Sequence, residues 1–161
     1  MKKLVKVTLA AVTLLLLNQV VSAQQMPKQG TTTYVTYYIS RTLANMDMGE
    51  VGSEALVELA GVTRNTNGQN FFDNMAARII FYRETISGKY RAIGARIETD
   101  NDGDKVFTTL DSRTMTHTIT GGTGKYKGIS GTVIYAVKML PAPGEGLGAL
   151  ITEHKITWQF K

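Results

Sequence analysis

The chain holds two histidines and no cysteine, and both histidines sit where every second residue is mostly apolar. Leu150, Thr152, His154, Ile156, Trp158 and Phe160 alternate with Ile151, Glu153, Lys155, Thr157, Gln159 and Lys161. Period two puts the first set on the inner face of a strand. Met115, His117 and Ile119 alternate with threonines in the same way. A neutral imidazole on an inner wall offers one hydrogen-bond donor and one acceptor, and its ordinary pKa suits acid–base work near neutral pH. No carboxylate motif accompanies the two residues and no third ligand falls at zinc spacing. They read either as core histidines holding one hydrogen bond each or as acid–base groups of a cavity. No metal is expected.

Other polar side chains fall on neighbouring strand-like stretches. Tyr34, Tyr37, Tyr38 and Arg41 crowd one segment, and Glu58, Arg78 and Tyr82 stand in two more. One inward phenol or charge gives an apolar wall a point that orients a ligand. The candidate ligand-binding residues are therefore Tyr38, Glu58, Arg78, Tyr82, His117, His154 and Trp158. Alternation alone leaves the faces of Glu58, Arg78 and Tyr82 open, and no residue is singled out as catalytic.

Two further motifs resemble ion or phosphate sites. Glu98-Thr99-Asp100-Asn101-Asp102-Gly103 begins like a calcium loop, but the position for the closing bidentate acid is Thr109. A hairpin turn at Asp102-Gly103 accounts for the run. Thr120 to Gly131 packs five glycines into twelve residues: Gly121, Gly122, Gly124, Gly128 and Gly131. A phosphate loop would need glycine where Ile119 stands and Ser or Thr where Tyr126 stands. A dinucleotide fingerprint would need glycine at Lys127. The glycines are read as structural, supplying positive φ and close backbone approach, and no cofactor is expected.

Export is written at the front of the chain. Lys2, Lys3 and Lys6 precede the apolar run Leu9 to Leu17, and Val21-Ser22-Ala23 offers small residues for cleavage. This pattern predicts a signal peptide over 1–23 and a secreted or periplasmic domain over 24–161. The apolar run is too short for a membrane anchor. Removing those three lysines from the 18 basic residues leaves 15 against 13 acidic ones, a net of +2 in place of +5. No basic cluster remains, so a nucleic-acid partner is not expected. Without cysteine, stability must come from burial in one core.

The elements that must position these residues are strands. Period two marks Thr31 to Arg41, Ser53 to Val62, Ala76 to Thr85, Lys89 to Glu98, Lys105 to Leu110, Thr114 to Thr120, Ile129 to Met139 and Ala149 to Phe160. Turn chemistry at Ser87-Gly88, Asp102-Gly103 and Asp111-Ser112 separates neighbours. The expectation is an all-β, single-domain, eight-stranded antiparallel barrel of calycin-like form, which removes edges and encloses one small ligand. Ile93, Ala95 and Ile97 oppose Ala92, Gly94, Arg96 and Glu98 without a decided inner face. Leu43 to Gly52 and Thr63 to Asn74 read as long connections able to rim a mouth.

Ile119 to Gly131, ITGGTGKYKGISG, resembles the glycine-rich signature of plant allene oxide cyclases, dirigent proteins and their small bacterial barrel relatives. Asp100 to Asp104 resembles the acidic turn of the bacterial relatives. The resemblance spans roughly Tyr90 to Tyr135. It implies an eight-stranded barrel around an apolar cavity, working without metal or organic cofactor, and related barrels often form homo-oligomers. The plant cyclase's catalytic glutamate, asparagine and cysteine find no counterparts here, and dirigent acids and arginines do not align, so fold transfers further than activity. Three functions remain open: an exported barrel binding a small apolar or amphipathic molecule, a cofactor-free cyclase or isomerase using the same cavity, and a structural or interaction barrel with a filled core.

Overall fold

The computed structural model describes residues 26–161, and the expected signal peptide, 1–23, lies outside them. Eight strands close into an antiparallel barrel in chain order: β1 (Gln29–Asp47), β2 (Gly52–Asn65), β3 (Ala76–Ile86), β4 (Lys89–Thr99), β5 (Lys105–Asp111), β6 (Thr116–Gly122), β7 (Ile129–Leu140) and β8 (Leu147–Phe160). β8 pairs with β1 to complete the wall. The expected all-β barrel is the fold. Short 3-10 turns occupy Gly49–Val51 and Gly124–Tyr126.

The alternation on β8 and β6 orients the wall as the pattern predicts. Leu150, Thr152, His154, Ile156 and Trp158 are buried, as are His117 and Ile119. Antiparallel order puts the β1–β2, β3–β4, β5–β6 and β7–β8 turns at one end, the mouth. The connections 66–75, 100–104 and 123–128 lie at the other end, which is closed.

Closure comes from the chain itself. The connection 66–75 turns Phe71, Phe72 and Met75 into the barrel, where they pack with Tyr34, Tyr126 and Trp158. Phe72 is fully buried, stacked on Tyr34 at 5.6 Å and lying 5.7 Å from Trp158. It holds φ 55°, a region a bulky side chain enters only when its surroundings force it. Asn65 fixes the loop by donating to the Phe71 carbonyl at 2.7 Å and accepting from the Asn67 amide at 2.7 Å. Trp158 donates its indole N–H to the Pro27 carbonyl at 3.1 Å.

The structure corrects four expectations about elements. β1 does not end near Arg41 but runs to Asp47, with Asn45, Met46 and Asp47 paired to Ala55, Glu54 and Ser53. Pairing with β2 continues past a register shift between Thr42 and Ala44, and β2 stays paired with β3 as far as Gly52↔Ile86, so beyond Arg41 only the β8 side of β1 is open. The connection Thr63 to Asn74 shrinks because β2 reaches Asn65, and it plugs the closed end in place of rimming the mouth. Thr114 and Met115 belong to a turn, Met115 with φ 49°. On β4 the polar face turns inward: Arg96 and Glu98 are buried, while Ile93 and Ile97 are 37% and 41% exposed.

The two sequence motifs form one joint at the closed end. The Lys125 ammonium lies 2.7 Å from both Asp100 and Asp102. The Lys125 amide donates to Asp104 at 3.0 Å, and Thr123 exchanges bonds with Lys105. Gly124 holds φ 50°, and an added Cβ would fall inside the Asp104 carboxylate. The lysine that suggested a phosphate loop therefore neutralises the acids that suggested a calcium loop.

Candidate functional site

The mouth-side half of the barrel contains a cavity of about 350 Å³, at the small end of the 300–1,000 Å³ typical of small-molecule sites. Its walls are apolar, drawn from Val57 and Leu59 on β2, Ile79 and Phe81 on β3, Leu110 on β5 and Leu150 on β8. His117, Thr152 and His154 form its polar floor, and Arg83 is the one charged residue on its lining.

A short hairpin opens the wall. β6 pairs with β7 only from Ile119↔Gly131 to Thr116↔Ile134. Beyond that point Val137 and Met139 line the cavity yet are 48% and 67% exposed. Tyr90 stands across the gap on β4, also lining the cavity and 57% exposed. The β5–β6 turn is the sill of this notch, and Ser112 clasps it to β4 by accepting from the Ala92 amide at 2.8 Å.

Beneath the floor, Arg96 crosses the barrel. Its Nη1 lies 3.3 Å from the His154 ring nitrogens, and its Nη2 donates to the Tyr34 hydroxyl and pairs with Glu98 at 2.8 Å. Both side chains of the ion pair are essentially inaccessible, at 0% and 1% exposure. Such a pair survives burial only with good geometry and further partners; Tyr34 and His154 supply these to Arg96, while the buried Glu98 oxygens have no hydrogen-bond partner among the described residues and rest on the ion pair. His154 also stacks on Tyr34 at 4.6 Å, and His117 packs against Tyr135 at 4.4 Å.

This arrangement keeps both imidazoles neutral. Burial and the Arg96 charge push His117 down to about 3. Burial, Arg96 and His117 push His154 well below the ordinary histidine value. Burial opposes the Arg96 charge, but Glu98 and the two tyrosines outweigh it and raise its pKa. Burial also lifts Tyr34 well above its usual value and Tyr38 to about 12, so both phenols stay protonated. A guanidinium has only donors, so the His154 nitrogen that bonds it must accept, leaving the other nitrogen to carry the proton. His117 Nδ1 is buried and has no hydrogen-bond partner among the described residues. The floor thus offers neutral hydrogen-bonding nitrogens in a water-poor setting, where such bonds are strong.

The candidate residues divide into three groups. His117 and His154 meet at the cavity floor, their ring centroids 6.2 Å apart. Tyr38 is buried inside the barrel among Val57, Leu59, Ile79 and Leu150 but is not on the cavity lining, and Trp158 belongs to the closed-end plug. Glu58, Arg78 and Tyr82 face outward. Glu58 is held there by Arg41 at 2.5 Å and Arg78 at 2.6 Å, which lower its pKa. Tyr82 donates to Glu84 at 3.1 Å on the outer wall. Arg96, Glu98 and Arg83 were not among the candidates. The signal for Arg96 and Glu98 was the undecided alternation on β4, and for Arg83 its place in phase with Ile79 and Phe81.

Fold and site together define a small eight-stranded antiparallel barrel with a filled closed end and an apolar, notched cavity over a buried polar floor. Among solved structures, the chain is similar to the pterocarpan synthase dirigent protein GePTS1, at 15% identity and a TM-score of 0.46, over 85% of this chain and 89% of that one. No protein-family model and no curated protein matches the chain.

Proposed function

We propose that the barrel binds one small, uncharged or weakly amphipathic molecule in its mouth-side cavity, with the ligand's hydrogen-bonding end on His117 and His154. The observation that carries this reading is the pair of neutral imidazoles at the base of an apolar cavity, one of them held by Arg96 from below. Apolar walls supply affinity at about 25 cal/mol per Å² buried, and the floor supplies orientation. A ligand cation is disfavoured because, among the described residues, the lining has no carboxylate and its one charge is Arg83. The test is a fluorescence titration with a naphthyl ketone and its oxygen-free analogue. The ketone should bind at least tenfold more tightly, and His154→Phe should erase the difference. Equal binding of both probes to the native protein rejects the floor's role.

A second reading, a cofactor-free cyclase or isomerase, is favoured by the same floor. Preorganised N–H donors in a confined cavity stabilise negative charge developing on a ligand oxygen. The resemblance to allene oxide cyclases and dirigent proteins supports it. We also place the chain among exported bacterial relatives of those barrels, secreted or periplasmic, on the strength of the lysine-led apolar run and the glycine signature. Self-association is the matching proposal for the outer wall, where Tyr37, Ile39, Val62, Ile80 and Ile97 are exposed around the Arg41–Glu58–Arg78 cluster.

A further inference from the structure

The two ends of the barrel differ in what their turns expose. Every turn at the mouth carries or borders an exposed large apolar residue: Met46 and Val51 at β1–β2, Tyr90 at β3–β4, Met115 at β5–β6, and Met139 and Leu147 at β7–β8. Their exposures run from 42% for Leu147 to 67% for Met139. At the closed end the apolar residues of the connections, Phe71, Phe72 and Tyr126, are buried, and Asp102 and Lys125 are left in water. What sets the mouth apart is that the apolar tips are gathered at one end of the molecule, the arrangement that interfacial insertion uses.

We infer that the mouth of the barrel docks on a lipid bilayer surface and that the cavity exchanges its ligand with the lipid phase. Four separate turn tips, three of the six residues being adaptable methionines, suit insertion into a fluid interface. A folded protein partner would call for a continuous, shaped patch. The tips encircle the notch through which an apolar ligand must pass, so docking spares that ligand a crossing of water. Charge points to a zwitterionic surface. At the mouth Glu84 pairs with Arg91 and Asp111 with Arg113, and the exposed charges left between the tips are of both signs, Lys89 against Glu50 and Glu145, so the described residues form no basic cluster there to seek anionic headgroups. This inference rests on the mouth's surface and stands apart from the identity of the bound ligand.

The chain has no cysteine, so single cysteines can carry an environment-sensitive fluorophore. Val51→Cys, Met115→Cys and Met139→Cys report on the mouth, and Asn67→Cys and Asn101→Cys on the closed end. With phosphatidylcholine vesicles, the mouth probes should shift to the blue and the closed-end probes should not, with little change between 50 and 500 mM salt. Combined Met46→Glu, Val51→Glu and Leu147→Glu, at mouth residues outside the cavity lining, should abolish co-flotation with those vesicles while the naphthyl ketone still binds. Absence of a blue shift at all three mouth positions overturns the inference. So does a blue shift that appears without vesicles as protein concentration rises, because a second copy then covers the mouth.

Discussion

Arg96 presents its guanidinium to His154 at 3.3 Å inside the barrel, although the two residues are 58 positions apart in the chain. A permanent cation beside an imidazole holds that imidazole neutral, and Glu98 makes the cation tolerable in the interior. Floor chemistry and barrel stability are therefore set by the same side chains.

The first prediction concerns pH. The unfolded histidine pKa is near 6.5, and His117 in the folded chain lies at about 3. Between those values the unfolded state binds the extra proton, so stability falls as pH drops through this window and is flat above about pH 7. The expected slope is ~1.4 kcal/mol per pH unit for each buried histidine. Urea unfolding of the native chain and of His117→Gln should diverge in slope between pH 6 and 4. Parallel curves would show that His117 is free to protonate when folded.

Removing one member of the buried pair leaves the other uncompensated. Glu98→Gln should cost about 3–5 kcal/mol in chemical denaturation, and Arg96→Met combined with Glu98→Leu should recover much of that loss. Equal losses in the single and double variants would mean that the pair's charges do not compensate each other.

How much of this was legible in the sequence depended on what each strand faces. β8 and β6 separate apolar from polar residues because one side meets the core and the other water, so His117 and His154 could be placed inside. β4 could not be read this way. Arg96 is held by Glu98 on its own strand and by Tyr34 and His154 from other strands, long-range contacts that leave no trace in local alternation. Ile93 and Ile97, which suggested the reverse orientation, stand partly exposed outside. The extension of β1 to Asp47 was hidden because beyond Arg41 the strand has lost its β8 partner and lies exposed, so its pairing with β2 makes no demand on apolar pattern. Glu58 and Arg78 looked like cavity groups, yet they answer each other on the outer wall.

The plug gives a prediction that separates stability from binding. Phe72→Ala should destabilise the barrel by about 3–5 kcal/mol, as for other fully buried phenylalanines. Ketone affinity at the opposite end should change less than threefold at temperatures where the variant stays folded. A parallel loss of affinity would mean that the two ends are coupled.

The glycine run offers a test of its structural role. Gly124→Ala must move the Asp104 carboxylate and hold a positive φ, so it should lower the melting temperature. Asp102→Asn removes only the exposed arm of the Lys125 pairing, worth about 0–1 kcal/mol, and should lower it less. Neither change should alter ketone binding, since the joint lies at the closed end. A phosphate or calcium role for the run would instead appear as ligand-dependent stabilisation of the native chain that Lys125→Met removes or alters.

Native mass spectrometry of the protein purified from its own host tests the cavity most directly. The cavity should carry a retained small molecule, seen as a discrete mass above the bare chain. Leu59→Trp, which fills the cavity from β2, should lose that mass while keeping the barrel's circular dichroism. A bare mass for the native protein, or an adduct held equally by Leu59→Trp, would contradict a ligand-binding cavity.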